Sequence, residues 1–155
     1  MAAGSHLHRD STKTDRRGEA CANLLHVIIR SIDDVSGTDR DVRGDGWRSR
    51  RLLRRDDGLN HSLHWTELAA GAELELKYSN HFESNLCVEG EGEVVDLATQ
   101  EVHKLHPGVV YALDKHDHHL VRALTDLKMV CVFWPALAGT EKHDEHGGYA
   151  TAPDG

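Results

Sequence analysis

From Trp47 onward, apolar and polar positions alternate in short runs spaced roughly ten residues apart. The runs include HSLHWTEL, AELELKY, NLCVEG, EVVDL, VVYAL, HLVRAL and KMVCVFW, and GD, DDG, AG, EGEG, HPG and DKHD lie between them. Period-two runs bounded by Gly and Asp turns predict antiparallel strands. HVIIRSIDDV reads as a further, first strand, and RSRRLLRR (48–55) as a strand carrying solvated arginines. No long segment keeps a 3.6-residue period, so little helix is expected. Many short strands with little helix indicate an all-β sandwich or barrel. Alternation also assigns faces. Met129, Cys131 and Phe133 share one face and Val130, Val132 and Trp134 the other. Trp47, Ser49 and Arg51 point together, as do Val109, Tyr111 and Leu113.

The 155 residues suffice for one domain with a core. Residues 1–26 are polar and aperiodic and read as a disordered N-terminal extension; 27–149 form the barrel domain and 150–155 a flexible tail. The stretch after Pro135 is turn-like and is expected over the surface. A net charge of -8 argues against nucleic acid as a partner. No apolar run approaches a membrane span, and no signal peptide is visible. The three cysteines, Cys21, Cys87 and Cys131, lack CxxC spacing and read as reduced thiols of a cytoplasmic protein.

GAELELKYSNHFESNLCVEG (71–90) resembles the first motif of the cupin family, with Gly71, Glu83 and Gly90 in frame. Lys77 and Ser79 hold the positions of that motif's two histidines. In the second motif, Tyr111 holds the histidine position after the HPG turn. The usual metal site is therefore either lost or rebuilt from Glu83, Tyr111 and a neighbour. The DKHD turn brings His118 or His119 back towards Tyr111. A Glu, Tyr and His donor set suits Fe(II). Expected architecture is a cupin-type double-stranded β-helix, or jelly-roll barrel.

GTDRDV, NHFES-LCVEGEGEV-DL, HPGVVYALDKHDHH and VCVF-P-L-GTEKHDE-G-Y narrow the resemblance to the ectoine synthase family, over about residues 27–149. That resemblance implies an iron site on Glu83, Tyr111 and His119. It implies a substrate pocket containing Trp47, Arg51, Thr66, Tyr78, Cys131, Phe133, Glu141 and His143. The family closes N4-acetyl-2,4-diaminobutyrate into a cyclic amidine with loss of water, and forms homodimers. It normally begins with Met where Val27 stands, which marks residues 1–26 as an upstream over-extension. Trp65, Ser84, Leu86, Trp134 and Ala136 depart from the family pattern.

The chemistry so implied needs a base for the attacking amine, with Tyr78, Glu141 and His143 as candidates. Arg51 suits the substrate carboxylate, and Trp47 and Phe133 would wall the pocket. His116 and His118 read as turn and surface residues; His61, His64, His103 and His106 as ordinary strand or surface histidines; Cys87 as structural. Two other classes fit the same frame: an iron dioxygenase, and a non-catalytic small-molecule-binding cupin.

Overall fold

A computed structural model describes residues 27–139. Ten strands form two antiparallel sheets. The strands are β1 (Asp41–Gly44), β2 (Trp47–Leu53), β3 (Ser62–Leu68), β4 (Glu73–Leu76), β5 (Phe82–Glu89), β6 (Gly92–Asp96), β7 (Val102–Leu105), β8 (Val110–Leu113), β9 (His119–Ala123) and β10 (Leu127–Trp134). One sheet has the order β1-β2-β3-β10-β5-β8, the other β4-β9-β6-β7. The chain thus crosses between sheets, and their inner faces enclose a core that includes Leu68, Leu76, Val94, Leu105, Leu113, Val121, Leu127 and Met129. This is the all-β sandwich that the alternation predicts, with the cupin-type architecture that the motif resemblance implies. No helix among the described residues is long and apolar enough to cross a membrane.

Three local expectations are corrected. HVIIRSIDDV is not a strand. Ser31 caps a one-turn helix, α1 (Ile32–Val35): its hydroxyl accepts from Asp34 N–H, while Asp34 accepts from the Ser31 backbone. That reciprocal cap starts the helix, and Ile28 and Ile29 before it are exposed and pair with no strand. RSRRLLRR does supply strand β2, but Arg50, Arg51 and Arg54 are buried rather than solvated. Acidic partners make that burial tolerable: Glu67 for Arg50, and Asp39 and Asp56 for Arg54. The segment after Pro135 is also not wholly superficial. Ala136 and Leu137 are buried, and Leu137 N–H donates to Ser62 Oγ at 3.2 Å. Residues 1–26 and 150–155 lie outside the described residues.

Gly90 shows why one turn needs glycine. It sits at φ +89°, and a Cβ there would lie 2.0 Å from the Asp126 carbonyl oxygen. That turn joins β5 to β6 and carries the chain from one sheet to the other.

Candidate active site between the two sheets

Strand register lines up the inner face of the large sheet in transverse rows. Ser49, Thr66, Met129 and Cys87 form one. The next is Arg51, His64, Cys131, Asn85 and Tyr111. A third holds Ser62, Phe133, Glu83 and Leu113. The middle row is polar at four of five positions, and the rows beside it add Ser49, Thr66, Ser62 and Glu83, a concentration of polar groups inside the sandwich that marks the site. Trp47, Thr66, Tyr78, Glu83, Tyr111, Cys131 and Phe133 line one cavity. Arg51 is fully buried on the same face, beside His64 in register. Glu141 and His143 lie outside the described residues.

Glu83 and Tyr111 come from neighbouring strands of the large sheet, and His119 comes from β9 in the facing sheet. The Tyr111 and His119 rings approach with centroids 6.1 Å apart. His119 is buried, and its Nδ1 lies 3.1 Å from the Asp117 carbonyl oxygen. An Nδ1–H donated to that carbonyl leaves the lone pair on Nε2, the arrangement of a ligating imidazole. Nε2 itself has no hydrogen-bond partner, nor has Glu83 Oε2. No cluster of three His, Cys, Asp or Glu side chains occurs among the described residues. A metal centre here therefore depends on the Tyr111 phenol.

Electrostatics fits a missing positive charge. Burial raises the Glu83 carboxyl to about 8, and Asn85 offsets part of that rise without reaching hydrogen-bond geometry. Tyr111 is held well above its usual value by burial and then by Glu83. His119 is pushed down, chiefly by burial. All three donors are neutral in the folded protein at neutral pH, for want of a compensating charge. A divalent cation held there would supply such a charge and favour the ionised carboxylate.

The remaining aromatic residues pack around this point. Phe133 meets Tyr78 edge-on at 5.3 Å, and the Tyr78 and His119 rings lie 6.5 Å apart. Cys131 is buried, and its thiol is pushed far up by burial, so it is a neutral wall rather than a nucleophile. Lys77 and Ser79, at the usual cupin histidine positions, are exposed, while Tyr78 between them faces in.

His116 and His118 lie in the turn and at the surface, as expected, and each has a partner. His116 Nδ1 lies 2.7 Å from the Tyr78 carbonyl, and its ring stacks on Phe82, which ties the turn to the strand below it. His118 pairs with Glu75 at 2.7 Å. The correction among the histidines is His64. It is not an ordinary strand or surface histidine: it is 1% exposed and lines the cavity. Asn85 was likewise not singled out by the sequence, yet it is 1% exposed in the same cavity. Its even spacing from Glu83 on one strand was the available signal. Trp65, Ser84, Leu86 and Trp134 all fall on the opposite strand parity from the cavity lining. Trp134 stacks on Phe82 at 5.5 Å, away from the cavity.

A family profile described as Ectoine synthase matches residues 27–153. The chain belongs to the ectoine synthase family. It is 52% identical over 128 residues to the L-ectoine synthase of Sphingopyxis alaskensis, covering 83% of this chain and 93% of that protein. The crystal structure of ectoine synthase from P. lautus superposes with a TM-score of 0.74 at 41% identity, covering 83% of this chain and 94% of that one. A Cupin 2 conserved barrel protein from Salinispora arenicola superposes with a TM-score of 0.57 at 20% identity, covering 71% of this chain and 90% of that one, and shares the fold. Family membership makes the chain an enzyme of the lyase class. The five departures from the family pattern leave the inward-facing groups of the large sheet in place.

Proposed function

We propose that this enzyme closes N4-acetyl-L-2,4-diaminobutyrate into ectoine, with loss of water, at a ferrous ion held by Glu83, Tyr111 and His119. The observation that carries the reading is the pair of orphaned buried atoms, Glu83 Oε2 and His119 Nε2, beside the Tyr111 phenol. When bound, the cation supplies Lewis acidity, which an amide carbonyl needs because it is a poor electrophile.

The protein's own part is orientation and proton handling. A bond forms between the α-amine nitrogen and the acyl carbon, the acyl C–O bond breaks, and its oxygen leaves as water. Trp47 and Phe133 wall the cavity and hold the substrate folded, so that the attack is intramolecular. Arg51 offers a planar fork for the carboxylate. Tyr78 stands between Phe133 and His119 and can take a proton from the amine; Glu141 and His143 are further candidates for that base. The enzyme is proposed to work in the cytoplasm as a homodimer, with edge strand β1 open on one side in the single chain.

Iron-loaded protein incubated with N4-acetyl-2,4-diaminobutyrate should yield ectoine. Glu83→Ala should lose both iron and cyclisation. Full iron retention in that variant contradicts the ligand assignment, and substrate-dependent oxygen uptake would favour a dioxygenase instead.

A further inference from the structure

The polar row Arg51, His64, Cys131, Asn85, Tyr111 crosses five strands at one level. Two of its members, His64 and Asn85, are buried and carry side-chain atoms without a hydrogen-bond partner. His64 Nε2 and both ends of the Asn85 carboxamide make no hydrogen bond, and both side chains line the cavity. A buried polar group left unpaired costs on the order of 1–3 kcal/mol, so it is retained where a ligand completes it.

Ser49 Oγ lies 3.4 Å from both Thr66 Oγ1 and His64 Nδ1. When Ser49 donates to Nδ1, the imidazole proton sits on Nε2 and makes that atom a donor, the tautomer that a carboxylate ligand selects. Burial and the Arg51 charge keep the ring neutral. A neutral N–H donor beside a guanidinium fits a carboxylate. Asn85 stands two strands away, between Cys131 and Tyr111 and on the same strand as Glu83. Neighbouring strands are about 4.8 Å apart, so the backbones of the two residues stand roughly 10 Å apart. That spacing suits the two ends of a short N-acyl amino acid.

We infer that His64 and Asn85 are substrate-contacting residues: His64 Nε2–H, with Arg51, binds the carboxylate, and the Asn85 amide N–H binds the acyl carbonyl oxygen beside the metal ligands. This rests on the cyclisation reading above. The two contacts differ in kind. The carboxylate carries the same charge throughout the reaction, so His64 gives uniform binding. The acyl oxygen gains charge during attack, so Asn85 acts on the chemical step.

The test uses iron-loaded wild type, His64→Leu, His64→Gln and Asn85→Leu, with steady-state kinetics, calorimetric substrate binding, iron content and melting temperature. His64→Leu should raise KM at least 10-fold with kcat within threefold, and His64→Gln, which keeps an N–H near the Nε2 position, should recover most of the loss. Asn85→Leu should lower kcat 10- to 100-fold with iron content unchanged and a melting temperature at or above wild type. Kinetics within twofold of wild type in both leucine variants would overturn the assignment. So would loss of activity that follows loss of stability or iron. If wild type binds substrate without cyclising it, the parent reading fails, and the calorimetry still decides for the carboxylate contact: His64→Leu should bind at least 10-fold more weakly, His64→Gln should recover most of that loss, and wild-type affinity in His64→Leu overturns the assignment. Wild type that neither binds nor cyclises substrate overturns both.

Discussion

Replacing Glu83 by glutamine should make the metal-free enzyme more stable at neutral pH, although it destroys a proposed ligand. Burial raises the carboxyl from 4.5 to about 8 in the folded protein. Below about pH 4.5 the folded and unfolded states are both protonated, and the group contributes nothing. Above it the unfolded chain ionises while the folded chain cannot, so the folded state loses stability as pH rises. Each tenfold mismatch costs about 1.4 kcal/mol, which gives a penalty of about 3 kcal/mol at pH 7 and roughly 4 by pH 8. Glutamine has the same shape and no charge to lose. His64 and His119 have lowered values and penalise folding below about pH 6.5, but they do so in both proteins. The difference between wild type and Glu83→Gln therefore isolates the carboxyl. The assay is urea denaturation of chelator-treated protein at pH 5, 7 and 8. The gap should widen with pH in favour of the glutamine variant. Parallel stability profiles would refute the buried, uncompensated carboxyl on which the metal argument rests.

Two further outcomes are expected. Gly90→Ala should cost on the order of 3 kcal/mol or more in a denaturant titration, because the methyl meets the Asp126 carbonyl at 2.0 Å and φ is positive. Asp57→Ala should cost about 2 kcal/mol, because this carboxylate accepts from both Arg30 and Arg40 at 2.9–3.0 Å. Burial alone would raise the Asp57 pKa; the two arginines overcome this and depress it. Its contribution is therefore present above about pH 4 and lost as pH falls further, so the variant's acid-unfolding transition should be shallower than wild type's.

Much of this molecule is legible in its alternation. Parity alone puts Met129, Cys131 and Phe133 on one face, and the structure buries all three. Parity also groups Trp47, Ser49 and Arg51, which share the inner face of β2. The Glu83, Tyr111 and His119 set came from family resemblance, since spacing could not choose between His118 and His119. What stayed hidden is what depends on cross-strand register. His64 looks like any strand histidine until β3 is laid between β2 and β10. Asn85 gains meaning only when Tyr111 is seen opposite it. The arginines of RSRRLLRR misled for a related reason, because carboxylate partners such as Glu67 for Arg50 and Asp39 for Arg54 come from other segments. The isoleucines before α1 misled because Ile28 and Ile29 are exposed and pair with no strand, while the Ser31 cap turns the chain that follows into α1.

Glu83 and Tyr111 belong to one sheet and His119 to the other. A ligand that gripped all three would act as a clasp across the sandwich, much as a disulfide staples a smaller domain. Holding the halves together and binding the ion would then be one event, stabilising the fold by mass action as free metal rises above its dissociation constant. In a cell short of that metal, the fold would forgo that added stability along with the activity.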